Sequence, residues 1–383
     1  MRFAINSFKH TIAAVGILTA CAVVLIHSKE SAAAVRSGIA ICVDSVIPSL
    51  FPMMFLAQYF IKSGGAEEIG GLLEAPTRIL FGLPGICGAV VLTGLIGGYP
   101  SGAAAAEALV QRGAISRRQG KRLANIAFCS GPGFTIGMIG AQLYQNKIVG
   151  LLILTAQAIS CIIIGIALKL IAGDISDTTP RANQASIRSE SGGENAFVES
   201  AAATSAAVLA MSSFIILFQV INAMMNTLDV NDRLSFLLSM VGMAHIGNYL
   251  IPCLTEVTGG SILSVNVGLP FTAFIVGFGG LSVHFQNFAL CRSIHLRKGR
   301  YLLTRFAQGG LCGLLVSAAL RIPFFAEGCV PAAAMTNTGV PMRFSHISGS
   351  FGAIMLVMCL MSVLCLPSNQ KERHHHEPFQ AVR

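Results

Sequence analysis

Apolar residues run along this chain in long blocks, and several reach the ~20 residues a helix needs to cross a bilayer's hydrocarbon core. Thr11–His27 is the first, preceded by Arg2 and Lys9. Its basic start and the following Ala32-Ala33-Ala34 also fit a signal peptide, but a polytopic chain needs no separate signal, so an uncleaved helix is expected. Ile39–Ile61 is the second block, interrupted by Pro48 and Pro52 and carrying Asp44. Leu83–Gly98 is short and stops at Gly97-Gly98-Tyr99-Pro100-Ser101-Gly102. Two small helices are then expected over Ala103–Arg112 and Ser116–Phe128, the second capped by Ser116. Cys129-Ser130-Gly131-Pro132-Gly133 breaks the chain again before a half-length piece, Phe134–Tyr144, and a full span, Ile148–Ile171.

Asp174–Asn195 has no apolar periodicity and reads as a linker. Beyond it, Ala201–Met225, Leu234–Ile251 and Ile262–Gly280 are the next expected spans. His284–Lys298 is amphipathic and basic, and Leu302–Phe325 and Phe351–Leu366 complete the set. His374-His375-His376, in the polar tail 368–383, is a weak metal-binding tract or simply a tolerated terminal sequence. The expected organisation is an N-terminal membrane helix and loop (1–37), a first half (38–173), a linker (174–196), a second half (197–325), and a C-terminal helix and tail (326–383).

Composition fixes the class that this pattern suggests. Hydrophobic residues make up 54% of the 383 and charged residues 11%, with a mean hydropathy of +0.70. A soluble domain carries roughly 25% charged residues, so too little charge is present here to coat a globule. An ordinary cytosolic enzyme, a disordered chain and a nucleic-acid-binding module are excluded. No Trp occurs, whereas the 40 Gly suit membrane helices whose backbones approach closely. The formal charge of +9 reads as basic loops on the cytoplasmic side. The eleven cysteines lie mostly in apolar runs without CxxC or Cys/His spacing, so they read as packing residues, not as a disulfide framework or metal site.

The two halves carry a weak duplication. Gly94-Leu95-Ile96-Gly97-Gly98 resembles Val276-Gly277-Phe278-Gly279-Gly280, and each is followed by a polar break, a small helix and a basic cluster. The first cluster runs from Arg112 to Arg122; the second comprises Arg292, Arg297, Lys298, Arg300 and Arg305. Interrupted apolar segments at corresponding places in two halves point to a transport site where the halves meet. If five spans separate the clusters the halves are inverted, and if four they are parallel; the positive-inside rule favours four.

Scarce polar groups inside this apolar frame are the candidate site. A Gly97–Gly102 run cannot continue a helix, and unwound backbone at membrane depth needs protein or a wet cavity to satisfy it. Ser101 and Gly102 would cap the following helix and aim its positive end at an anion, or the run is a surface loop. Ser130, Gly131 and Pro132 belong to a second break of the same kind. Thr255 and Glu256 form a third cluster, where a carboxylate near hydrocarbon would bind a proton, a sodium ion or a donor on a solute, or would sit among headgroups. Ser282, His284, Gln286 and Asn287 follow Gly279-Gly280 in the second half, and His284 could couple protons. Asp44 would pair with a cation or cap the break before Pro48, and Glu107 would face the cavity or Arg112. No triad, P-loop or zinc site is present, so no enzyme and no cofactor is expected.

On these residues the chain resembles the sporulation integral membrane protein family YlbJ (SpoVV), within the nucleoside-recognition or Gate domain group. The carrying segments are Val46-Ile47-Pro48-Ser49-Leu50-Phe51-Pro52, Gly97–Ala103, Arg112-Gly113-Ala114-Ile115-Ser116, Cys129–Phe134 and Leu254–Gly260. They cover most of 38–325 in one order; the linker at 174–195 and the C-terminal region depart from the pattern. The resemblance implies an all-α, polytopic helical bundle with two weakly repeated, Gate-like halves and interrupted, re-entrant helices, similar to concentrative nucleoside transporters. It also implies a role in moving dipicolinate, a planar dianion, across the mother-cell-derived outer membrane of the forespore.

The expectation is a transporter or facilitator of a small planar anion, with dipicolinate the solute that the resemblance implies. Its partners would be the lipid bilayer, the solute and a coupling proton or sodium ion; a homo-oligomer is compatible and nucleic acid is not. A non-transporting scaffold for spore-envelope assembly and a nucleoside carrier are the alternatives.

Overall fold

The computed structural model describes residues 2–176, 194–240 and 244–328. Every regular element among them is a helix. Most of the linker, Phe351–Leu366 and His374–His376 lie outside the described residues.

Helix α1 (Arg2–Ile26) leads into α2, a continuous run over Ser28–Lys62 despite its two prolines. The turn Cys42–Val46 widens to π geometry just ahead of Pro48. Pro48 therefore falls in the first turn of the following α segment, where a missing N–H is tolerated. Asp44, in the wide turn, forms neither an ion pair nor a helix cap among the described residues. Next come α3 (Gly65–Leu72), α4 (Glu74–Phe81) and α5 (Gly85–Gly97), with a bend of 84° between α4 and α5. Gly82 takes the left-handed conformation that this corner needs, and Gly85 N–H donates to Glu74 across it at 2.6 Å.

A single residue, Gly98, separates α5 from α6 (Tyr99–Gln111). After α6, Ser116 caps α7 (Arg117–Ile126) in a reciprocal capping box with Gln119. The irregular stretch 127–132 leads to α8 (Gly133–Leu143), wound as a π-helix, and then to α9 (Lys147–Ala172). The rest is α10 (Glu194–Thr227), α11 (Val230–Ser239), α12 (Ala244–Thr255), α13 (Val257–Ser264), α14 (Leu269–Phe278), α15 (Gly280–Leu290), α16 (Lys298–Ala319) and α17 (Pro323–Gly328).

Five stretches are long and apolar enough to cross a membrane: α2, α9, α10, α14 with α15, and α16. The bent pair of α4 and α5 makes a sixth if it counts as one span. The molecule is a multi-pass integral membrane protein. Large apolar side chains stand exposed along α9 (Leu151, Ile159, Ile162, Leu170) and α16 (Leu303, Phe306, Leu314), as lipid-facing surfaces require.

Three expected elements differ. Leu234–Ile251 is not one span but two helices, α11 and α12, folded together with Gly247 seated on Ser235. Ile262–Gly280 divides at Gly268, whose positive φ and the following Leu269-Pro270 start a new helix, so the span runs over Leu269–Leu290 instead. His284 belongs to that span, and no amphipathic helix covers His284–Lys298. Hydropathy averages composition and cannot register a reversal of direction.

Close helix packing runs through small residues. α14 lies against α16 with Gly277 on Cys312 and Gly309 on Phe274, where a Cβ would come within 3 Å. α16 also meets α9, through Ser160 Oγ to Cys312 Sγ at 3.3 Å and Gln308 to Cys161 at 3.1 Å. α2 and α10 run antiparallel, with Gly38 on Ile216 and an ion pair of Lys62 and Glu199 at 3.2 Å. The start of the linker is pinned to the same end of the bundle. Ile175 N–H donates to Gly82, and Arg122 donates to Gly173 and Phe81.

Candidate functional site

The breaks meet. Gly98, Tyr99, Ser130, Glu256, Ser282 and Gln286 line one cavity in the core, closed in by Leu50 and Met54 of α2 and by Met211 and Ile215 of α10. Its volume is about 20 Å³, room for about one water molecule. In this conformation the site is shut.

Two of its walls are helix beginnings, and they are built differently. At the first, Gly98 adopts φ 87 and its side-chain-free backbone turns sharply into α6, which has no side-chain cap. At the second, Glu256 caps α13 with both oxygens: Oε1 accepts from Thr258 N–H at 2.9 Å and Oε2 from Gly259 N–H at 2.6 Å. The partial positive charge of a helix start is thus open at one wall and already answered by a carboxylate at the other.

The break at 127–132 is held by side chains from helices far away in sequence. Gln157 of α9 accepts three bonds at Oε1, from Cys129 Sγ (2.8 Å), Ser130 N–H (3.0 Å) and Ser130 Oγ (2.9 Å). Gln308 of α16 donates to Phe128 O at 2.8 Å, and Arg305 donates to Asn125 O and to Gln308. Tyr99 donates to Val276 O across the cavity wall. Unwound carbonyls at membrane depth are thereby satisfied by protein.

Arg305 is fully buried inside a membrane span, with no carboxylate paired to it among the described residues. Its guanidinium lies over Phe128 at 4.4 Å and Tyr301 at 5.3 Å. By sequence Arg305 falls in the second basic cluster, and Gln157 and Gln308 belong to no motif. The available signal was a strongly polar residue within an otherwise apolar helix.

Several groups in or beside the cavity have no hydrogen-bond partner among the described residues: Ser282 Oγ, Gln286 Oε1, Asn287 Oδ1, Gln157 Nε2 and both His284 nitrogens. Such buried groups are costly unless something else satisfies them, a water or a ligand. Ser282 and Gln286 face the cavity itself.

Most of the remaining candidates sit behind the wall. Ser101 donates to Gly97 O at 3.0 Å, and Gly102 packs so tightly that a Cβ would lie 2.2 Å from Ala127 O. Gly97 lines the cavity and so does Pro100, while Gly131, at φ 77, supports Gly98 from behind and Pro132 precedes α8. Thr255 donates to Asn222 at 2.8 Å. His284 stands in a cage of Phe128, Phe278 and Tyr301, and Asn287 donates to Tyr301 at 2.8 Å. Glu107 faces neither the cavity nor Arg112. It accepts from Ser293 and Ile294 N–H at 2.7 and 3.2 Å, tying α6 to the turn after α15. No group of three or more His, Cys, Asp or Glu among the described residues could hold a metal ion.

Over 321 residues the chain is 26% identical to the sporulation integral membrane protein YlbJ of Bacillus subtilis (strain 168), covering 77% of this chain and 79% of that protein. The chain is a homologue of YlbJ. No family model matches it, and no solved structure matches it. With YlbJ as its relative, the chain is a multi-pass membrane protein related to one that serves sporulation.

Proposed function

We propose that the protein is a transporter or facilitator of a small planar anion in endospore formation, with dipicolinate as the leading solute, and that it catalyses no bond-making step. The observation that carries this reading is the core cavity where two helix starts meet and where buried Ser282 Oγ and Gln286 Oε1 lack partners among the described residues. A planar dianion offers oxygen acceptors to Tyr99 N–H at the uncapped start of α6, where Pro100 has no N–H and Ser101 and Gly102 donate to Gly98 O, and to the Ser282 hydroxyl. Glu256 would repel it, unless that carboxylate binds a proton or a sodium ion when the solute enters. Coupling would then sit at α13.

The fold supports this reading as two interrupted halves in opposed orientation. The α5–α6 hairpin starts at the bundle end that holds Gly82 and Gly173; α10 leaves that end beside Lys62, so the α12–α13 hairpin starts at the other. The tip at Gly98 corresponds to the tip at Glu256, and the break at 127–132 to Gly279-Gly280. α9 corresponds to α16, which it touches. The sequence likeness of Gly94–Gly98 to Val276–Gly280 joins a tip to a break, which are unlike elements. Four spans separate the basic clusters, counting α7 with α8 as one, and the halves are nevertheless inverted. The clusters do not occupy equivalent places.

Uptake of dipicolinate into vesicles holding the purified protein tests the proposal. Ser282→Ala and Gln286→Leu remove groups that bond to nothing in the fold, so the melting temperature should hold or rise while uptake falls at least tenfold. Uptake equal to wild type in both variants would remove the cavity from the pathway.

A further inference from the structure

A second, larger cavity lies at the end of the bundle where the two basic clusters converge. Arg118, Lys121 and Arg122 of α7 line one side; Arg297 and Arg300 line the other. Its volume is about 300 Å³, within the roughly 300–1,000 Å³ of small-ligand sites, against about 20 Å³ for the core cavity.

None of this larger cavity's five cations forms an ion pair among the described residues. Arg118 and Arg300 are close enough to Arg122 to repel it, and Asp174 is the carboxylate close enough to attract it. Asp174 does not line the cavity, and it accepts from the amide and hydroxyl of Ser176 at 2.8 and 2.6 Å. Arg122 spends its donors on the Phe81, Gly82 and Gly173 carbonyls. Lys121, Arg297 and Arg300 donate to no group in the described chain, and Arg118 makes one bond, to Ala172 O at 3.2 Å. A concave surface lined by one sign of charge focuses the field and raises the local concentration of opposite ions.

The two cavities are joined by one layer of side chains. Tyr301 and Asn125 line the outer cavity. Arg305 binds the Asn125 carbonyl and lies over Tyr301 and Phe128. Phe128 packs on Tyr99, whose ring lines the core cavity, with centroids 4.5 Å apart. A buried cation thus stands between the outer cavity and the core.

We propose that the outer cavity is a capture site for a small dianion, which Arg118, Arg297 and Arg300 hold before Arg305 passes it to the core. The shut core admits about one water, so in this conformation the outer cavity is where a dianion fits. This inference rests on the anion-transport reading above and names a second site for it.

The test is equilibrium binding of radiolabelled dipicolinate to the purified full chain in detergent, at low and at physiological salt. Wild type should bind more weakly as salt rises. The triple variant R118Q/R297Q/R300Q, whose side chains are exposed, should fold normally and bind at least tenfold more weakly at low salt, with little salt dependence left. Binding and salt dependence equal to wild type in the triple variant would overturn the outer site, and vesicle uptake would still report on the core. No binding and no uptake by wild type would overturn the transport reading itself. A third arm adds phosphatidylglycerol to the detergent. If it displaces dipicolinate from wild type while phosphatidylcholine does not, the cations serve a lipid phosphate and the capture site is refuted.

Discussion

The two helix starts that meet in the core solve one problem by opposite means. At Gly98 the chain turns through a conformation with positive φ, and the tip is secured by backbone: Gly102 lies against Ala127 O, and Gly131 against the Gly98 amide. At Glu256 the chain is extended and the tip is secured by a side chain, whose carboxylate binds the first free amides of α13. The first solution leaves a helix start uncapped beside the cavity; the second places a negative charge there. A site of this kind is asymmetric: one wall attracts an anion, and the other must change its charge before an anion can stay.

The largest expected effect separates the two tips by their tolerance of one methyl group. Gly102→Ala would put Cβ 2.2 Å from a backbone oxygen that cannot move, so little or no monodisperse protein should be recovered. Gly259→Ala, at the second tip, meets the flexible Gln219 amide at 2.6 Å and should fold. Equal recovery of the two on size-exclusion chromatography would erase the distinction between a backbone-built and a side-chain-built tip.

Glu256→Gln comes next. It leaves one oxygen for the helix start and turns an NH₂ group toward the other amide, which costs about 1–3 kcal/mol. Thermal melting should register that loss. If protonation or sodium at Glu256 couples solute movement, uptake by the variant should also lose its dependence on pH or sodium. A variant with wild-type coupling would reduce Glu256 to a cap.

Gly98→Ala tests the first tip at lower cost. A non-glycine residue at φ 87 and ψ −178, a region essentially reserved for glycine, carries about 1–3 kcal/mol of strain, and its Cβ would lie 3.1 Å from Ser130 O, a contact that needs a small shift. Melting should fall modestly, and uptake should fall further than melting, because the new methyl group stands at the cavity wall.

Much of this frame was legible in the sequence because glycine and proline act locally. Gly97-Gly98, Cys129–Gly133 and Thr255–Gly260 all interrupt helices, and at each the physical cause is within a few residues. Ser116 announced itself as an N-cap by its place before the helix, while its reciprocal bond with Gln119 appears only in the structure. What could not be read was direction and depth. Nothing local in Leu234–Ile251 shows that it doubles back, and the Gly pairs at 97–98 and 279–280 look alike although one ends a hairpin arm and the other interrupts a span. Gly102 resembled a cap and is a contact with Ala127, some 25 residues on. Gln157 and Gln308 act on Ser130 and Phe128 from other helices, and only the fold brings them there.

The smallest effect supplies the control for Glu256. Ser116 is also an N-cap, accepting from Gln119 N–H at 3.3 Å and answered by Gln119 Oε1 on its own amide at 2.7 Å. It begins α7, away from the core cavity. Ser116→Ala should cost about 1 kcal/mol, as N-cap removal generally does, seen as a small drop in melting temperature. Uptake and its ion dependence should be unchanged, since Ser116 lines neither cavity. If Ser116→Ala altered coupling as Glu256→Gln does, helix stability rather than charge beside the cavity would be the common cause. The asymmetry between the two tips would then be structural, with no bearing on the anion.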